Sequence, residues 1–240
     1  MEPNILIVGH SHVQCLHEAA LASGRKNVDV INIANLPNYR TASPEETTAM
    51  VAEAARHKDP QALCLCLFGN EHNVAGLIDH PQPFSVGDTE MIDVSPNTEG
   101  RWFIPNSVAL DSFRGWLGAV PKLKRSLYSA FPKAQSFYIP PPPPISDWPH
   151  ILEHPGVFKD KLHLGPAPDS LRLTLYRLQC QVLQEAAEDC GAAVIATDPQ
   201  AVDRRGFLQQ GLYGPDPTHG NLRYGTLMLT RIVQNVGKTS

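Results

Sequence analysis

Apolar positions along the chain fall into two rhythms. Short apolar-rich runs at residues 4–8, 28–33, 61–68, 134–139 and 192–197 have strand length. Longer stretches at residues 13–22, 44–57, 107–130, 169–190 and 221–236 carry apolar residues three and four apart, the spacing of one helix face. Ser43, Pro44, Glu45 and Glu46 read as an N-cap, a first-turn proline and early acids, and Gly24 and Gly191 read as helix stops. The run at residues 61–68 is continuous rather than alternating, which suits a strand covered on both faces. Parallel strands need helical crossovers, and the alternation of the two rhythms supplies them. The expected fold is a three-layer α/β/α sandwich around a doubly wound, five-stranded parallel sheet. Chemistry is then expected on the loops leaving the carboxyl ends of the strands, which begin at Gly9, Ala34, Phe68, Pro140 and Asp198.

Two segments break the alternation. Residues 76–105 contain Pro81, Pro83, Gly87, Pro96 and Gly100 with no sustained period, and residues 140–168 open with five prolines. Both exceed the usual connection length, so they are expected to be binding loops or lids within one domain spanning residues 1–240. The proline run should form a stiff polyproline II stub.

Charge and composition narrow the function. Twenty Lys and Arg against 24 Asp and Glu leave a formal charge of −4 without a basic cluster, so no nucleic-acid partner is expected. The apolar runs are far shorter than the roughly 20 residues that span a bilayer, and residues 1–8 do not have the pattern of a signal peptide. Five cysteines, Cys15, Cys64, Cys66, Cys180 and Cys190, sit in strand-like or helix-like runs and read as buried thiols. The cytoplasm is the expected location, with no membrane partner.

Three short blocks carry chemistry. Gly9, His10, Ser11 and His12 follow the first strand and precede the first helix. A serine there has its hydroxyl at the sheet edge and its amide among the free donors of a helix start; an ordinary N-cap is the alternative. Phe68, Gly69, Asn70, Glu71, His72 and Asn73 follow the third strand, where the Asn70 amide can donate to a developing oxyanion or merely cap a loop. Asp216, Pro217, Thr218 and His219 precede the last helix. A carboxylate three residues before an imidazole can hold one ring nitrogen and leave the other as general base.

In order and spacing these blocks resemble the SGNH (GDSL) hydrolase superfamily of serine esterases and acyltransferases. Gly9, His10 and Ser11 match the family's Gly-Asp-Ser block, Asn70 matches its Gly-x-Asn block with Phe68 in the glycine's place, and Asp216 and His219 match its Asp-x-x-His block. The resemblance implies a flavodoxin-like SGNH fold. It also implies a Ser11 nucleophile, a His219 base, an Asp216 orienting acid, and oxyanion donors from the Ser11 amide and the Asn70 side chain. The chain departs from the family pattern at His10, at Phe68, and in residues 34–43, which contain no glycine to match the family's second block. An amide near Asn35 is the substitute considered there.

His10, His12, His17, His72 and Glu71 invite a metal reading, but their spacing matches no recognised metal motif, so neither metal nor other cofactor is expected. His10, His12, Arg40, His72 and Trp148 are the expected substrate contacts. Trp102 and Trp148 can stack on sugar rings or clamp their own loops, and Arg40 can clamp a carboxylate or stay on the surface. With no long apolar lid segment, the expected activity is a serine esterase. It would remove a small acyl group, such as acetyl, from a carbohydrate or other polar ester through an acyl-enzyme. An acyltransferase on the same site and a non-catalytic binding protein are the alternatives.

Overall fold

The computed structural model describes residues 2–88 and 100–239. Five parallel strands, β1 (Ile5–Gly9), β2 (Val28–Asn32), β3 (Ala62–Cys66), β6 (Gln135–Tyr138) and β7 (Ala193–Val194), form a sheet in the order β2-β1-β3-β6-β7. The central strands β1 and β3 are buried along their whole length, as their unbroken apolar runs require. Alternate residues feed two cores. Ile5, Ile7, Cys64, Cys66 and Phe137 point to one face, which α1 (Gln14–Ala22) and α8 (Leu222–Thr239) cover. Leu6, Val8, Leu63, Leu65 and Tyr138 point to the other, covered by α2 (Pro44–Ala54), α4 (Asn106–Trp116), α5 (Val120–Ala130) and α7 (Asp169–Glu188). Each fully buried Ile or Leu contributes about 1.5–3 kcal/mol, so a run of them fixes which strands are central.

The start of α2 follows its sequence signal: the Ser43 Oγ accepts from the Glu46 amide at 3.1 Å, and Glu46 accepts from the Ser43 amide at 2.7 Å. Elsewhere the structure corrects the expected elements. The helix expected over residues 107–130 is two helices, α4 and α5, parted around Gly118, and Pro121 stands in the first turn of α5, where its missing amide costs nothing. The strand expected over residues 192–197 is shorter. β7 pairs with β6 at Ala193–Val194, and the Ile195 amide adds a bond to the Tyr138 carbonyl at 2.9 Å. Beyond that the chain after β6 enters Pro140–Pro144, which carry no amide to extend a ladder. Three short pieces gave no periodic signal: α3 (Glu71–Gly76), α6 (Trp148–Glu153) and a 3-10 turn (Gly156–Leu164).

The irregular segment at residues 76–105 contributes a two-stranded parallel sheet of β4 (Phe84–Gly87) and β5 (Trp102–Pro105); its residues 89–99 lie outside the described residues. The proline run after β6 is buried. Tyr176 on α7 donates to the Pro141 carbonyl at 3.0 Å, and Arg172 donates to the carbonyl of Ile145. Among the described residues no helix is long and apolar enough to cross a membrane.

Candidate active site

The carboxyl ends of β1 and β3 lie side by side, with Gly9 opposite Cys66. A side chain at Gly9 would place its Cβ 2.2 Å from the Cys66 carbonyl oxygen, so only glycine lets the chain turn there. The turn delivers Ser11 as the first residue of a short 3-10 helix (Ser11–Val13), exposed at the sheet edge. Across the site, the loop before α8 brings in His219. Its Nε2 lies 2.7 Å from the Ser11 Oγ, although 208 residues separate the two.

The other ring nitrogen of His219, Nδ1, lies 2.8 and 2.9 Å from the two carboxylate oxygens of Asp216. That contact places the proton on Nδ1 and leaves the Nε2 lone pair facing the serine hydroxyl. Asp216 also accepts from the amides of Thr218 and His219, at 2.8 and 3.0 Å, and from the Thr218 hydroxyl at 3.0 Å. Burial alone would raise the Asp216 pKa. The bonds from His219 and Thr218 outweigh it and hold the carboxyl well below the usual range.

Asn70 arrives from the loop after β3. Phe68 and Gly69 both have positive φ, 62° and 129°, and a Cβ on Gly69 would sit 2.5 Å from Pro141. Asn70 stands at the N-cap position of α3, but its side chain does not cap the helix backbone. Its Nδ2 donates to the Thr218 Oγ1 at 3.3 Å, and its Oδ1 accepts from the Asn73 Nδ2 at 3.0 Å. Glu71 and Gln179 brace the bend from below. Glu71 accepts from the Gly69 amide at 3.1 Å and from the Gln179 Nε2 at 2.7 Å.

The remaining expected contacts divide by burial. The ring of His72 is buried against α7, with Nδ1 2.9 Å from the Gln179 Oε1, so it faces the fold rather than a ligand. His12 is buried too. Its ring lies 4.5 Å from that of His219, and neither of its nitrogens has a hydrogen-bond partner among the described residues. Burial, and then the neighbouring His219, push its pKa well below the ordinary value, so it stands neutral beside the imidazole. His10 accepts from the Phe68 amide at Nδ1 at 2.9 Å, and its Nε2 meets the Tyr39 hydroxyl. Burial lowers its pKa to about 4, so at neutral pH its one proton sits on Nε2 and is donated to the Tyr39 oxygen. The Tyr39 proton is thereby left free to donate.

Arg40 is exposed on the loop after β2 and makes no bond among the described residues. Trp148 opens α6 and packs partly on the core, so it clamps its loop, while it also lines a cleft with Tyr213, Arg205 and Gln209. His17 lies on α1, outside these contacts. No group of three or more His, Cys, Asp or Glu with metal-binding geometry occurs among the described residues.

On either side of Asn35 the Ala34 amide donates to the Asn32 side chain at 3.0 Å and the Leu36 amide to the Ile33 carbonyl at 3.1 Å. Thr218, Asn73, Gln179 and Tyr39 are the participants that sequence reasoning did not single out, and Glu71, considered there as a metal ligand, braces the loop instead. Thr218 and Asn73 stood inside the quoted blocks, whereas nothing local marked Gln179 or Tyr39.

A scan against protein-family models and a search of curated proteins each found no match. Solved structures do match. A GDSL-like lipase from Bacteroides thetaiotaomicron aligns over all of this chain and 90% of its own, with 13% identity and a TM-score of 0.52. The periplasmic domain of the lipopolysaccharide acetyltransferase of Salmonella ser. Paratyphi A aligns over 98% of this chain and 84% of its own, with 12% identity and a TM-score of 0.54. At such identities the likeness speaks to the backbone, and together with the strand order β2-β1-β3-β6-β7 it identifies the fold of this chain as that of the SGNH (GDSL) hydrolases.

Proposed function

We propose that this chain is a serine esterase, acting as one catalytic domain. One observation carries the reading: the unbroken contact from the Ser11 Oγ to the His219 Nε2 at 2.7 Å and from the His219 Nδ1 to Asp216 at 2.8 Å. His219 takes the Ser11 proton as the hydroxyl oxygen attacks an ester carbonyl, and Asp216 stabilises the resulting imidazolium. The Ser11 amide, which has no partner among the described residues, and the Asn70 Nδ2 face the developing oxyanion. Collapse of the tetrahedral intermediate expels the alcohol, which takes its proton from His219. Water, activated by the same imidazole, then attacks the acyl-enzyme carbonyl and returns Ser11 to its free form. A neutral His12 behind His219 adds no charge to oppose the imidazolium.

A small acyl group on a polar alcohol is the substrate this reading favours. A cleft of about 700 Å³ lined by Trp148, Tyr213, Asp203, Arg205 and Gln209 supports it, since aromatic faces set among planar polar groups suit a sugar. Tyr213 pairs with Gly220, next to His219, which ties that cleft to the catalytic loop. The five free thiols agree with a reducing compartment such as the cytoplasm.

A fluorophosphonate probe tests the reading, because an unactivated serine hydroxyl is a weak nucleophile. Peptide mass mapping should find the probe on Ser11, and His219→Ala should nearly abolish the labelling. Labelling of another serine, or undiminished labelling of the His219 variant, refutes the triad.

A further inference from the structure

We infer that Asp216 directs a second group besides His219: through the Thr218 hydroxyl it sets which end of the Asn70 amide faces the reacting carbonyl. The inference rests on the esterase reading and deepens it by making Thr218 a positioning residue. Its basis is the chain of contacts from Asp216 to Thr218 at 3.0 Å, Thr218 to Asn70 at 3.3 Å and Asn70 to Asn73 at 3.0 Å.

An Asn side chain has two ends of nearly equal shape. One donates two hydrogens and the other only accepts, so a flipped amide would present a carbonyl oxygen to the oxyanion and repel it. The polarity must be imposed from outside, and an ionised carboxylate can impose it because it only accepts. Asp216 therefore takes the single Thr218 proton. With that proton committed, the Thr218 oxygen can only accept from Asn70, and an acceptor at that point selects the NH2 end. One amide hydrogen is thus fixed on Thr218 and the second is left for substrate. Asn73 closes the chain by donating to the Asn70 Oδ1, which reinforces the same orientation. Thr218 and Asn73 are both buried, at 5% and 3% exposure, so water does not compete for these bonds. The bonds that keep the Asp216 carboxyl ionised protect the direction of the whole chain.

The Thr218 hydroxyl also lies 3.1 Å from the His219 Nδ1, so its loss can act through either arm of the site. A double-mutant cycle separates the two. Turnover of p-nitrophenyl acetate and the rate of Ser11 labelling by a fluorophosphonate are measured for the parent, Thr218→Val, Thr218→Ser, Asn70→Ala and Thr218→Val with Asn70→Ala, with melting temperatures alongside. Thr218→Val is expected to lower kcat roughly tenfold with little change in KM, inside the ~100- to 1,000-fold ceiling for losing an oxyanion donor outright. Thr218→Ser should restore most of the rate. Where Asn70 is already alanine, Thr218→Val should cost less than about threefold, because the group it positions is gone.

An equal loss in both backgrounds overturns the inference and assigns Thr218 to the triad alone. Full activity of Thr218→Val, or a Thr218→Ser variant as slow as the valine, overturns it as well. Should the valine variant fold poorly, Asn73→Ala removes the other hold on the same amide and must show the same non-additivity with Asn70→Ala. A parent protein that neither hydrolyses the ester nor labels at Ser11 refutes the esterase reading itself. A labelled parent with an additive cycle refutes the Thr218 assignment alone.

Discussion

Replacing Asn70 with alanine separates catalysis from architecture most cleanly, because the structural contacts of that side chain are distinct from the hydrogen assigned to the oxyanion. One Nδ2 hydrogen is engaged by Thr218, the Oδ1 is engaged by Asn73, and the side chain makes no cap bond to α3. The second Nδ2 hydrogen is the group assigned to the oxyanion. Loss of the two structural bonds costs about 1 kcal/mol each, and leaving the Asn73 amide unpaired in a buried place pushes the sum toward 2–3 kcal/mol. That cost falls on the stability of the folded state, not on the barrier. The oxyanion bond strengthens only as charge develops on the carbonyl oxygen, so its loss acts on the barrier, by about 3–4 kcal/mol or 100- to 1,000-fold in rate. The expected outcome is therefore a kcat at least 100-fold lower, a KM within a few-fold of the parent, and a modest fall in melting temperature. Steady-state kinetics on an acetyl ester, with thermal unfolding on the same preparations, tests both parts. Near-normal kcat with a lowered melting temperature would return Asn70 to the role of a loop fastener and refute its place in the oxyanion hole.

Two further outcomes follow from the electrostatics. Burial beneath Tyr138 lowers the Lys124 pKa from 10.5 to about 8, so between those values the unfolded chain holds a proton that the folded chain has released. The penalty is full below pH 8 and is relieved as pH rises, by about 3 kcal/mol across the window. Buried Cys15, Cys66 and Cys180, each pushed up to about 12, work in the opposite sense above pH 9 and mask this rise in the parent's own profile. The stability difference between Lys124→Met and the parent should isolate it, favouring the variant at pH 7 and shifting by about 3 kcal/mol toward the parent by pH 10.5 in urea denaturation; a constant difference refutes the assignment. Esterase activity should also survive prolonged dialysis against a chelator, and loss of turnover restored by a divalent ion would move the chemistry from Ser11 to the histidines.

The fold was legible because its strongest determinants are local or periodic. Five short apolar-rich runs became five parallel strands, and the Ser43 and Glu46 signal became a capping box. What escaped was short or set by distant partners. Six-residue helices such as α3 and α6 hold fewer than two turns, too few to show a period. The break between α4 and α5 was written in Gly118 and Pro121, but the apolar spacing on either side runs through it. Pairing at β7 stops after two residues where the chain of its neighbour β6 gives way to the proline run, and which strand lies beside β7 is not a local property.

The site shows the same division more sharply through its histidines. His10, His12, His72 and His219 are one residue type in similar polar loops, and all were candidates for chemistry or for substrate contact. Their roles diverge according to what the fold brings to each ring: Ser11 from 208 residues away for His219, Gln179 from 107 residues away for His72, the Phe68 amide and Tyr39 for His10, and no hydrogen-bond partner among the described residues for His12. Only the Asp216 to His219 contact, three residues apart, was readable from spacing. Near Asn35 the two flanking amides are engaged, Ala34 by the Asn32 side chain and Leu36 by the Ile33 carbonyl, an arrangement that spacing alone does not show. On the proposed reading the Ser11 amide and the Asn70 side chain are the two assigned oxyanion donors. The Ser11 amide is fixed by its peptide plane, so the adjustable share of oxyanion stabilisation falls on the orientation of one Asn70 side chain, and the contacts that hold that side chain become part of the catalytic problem.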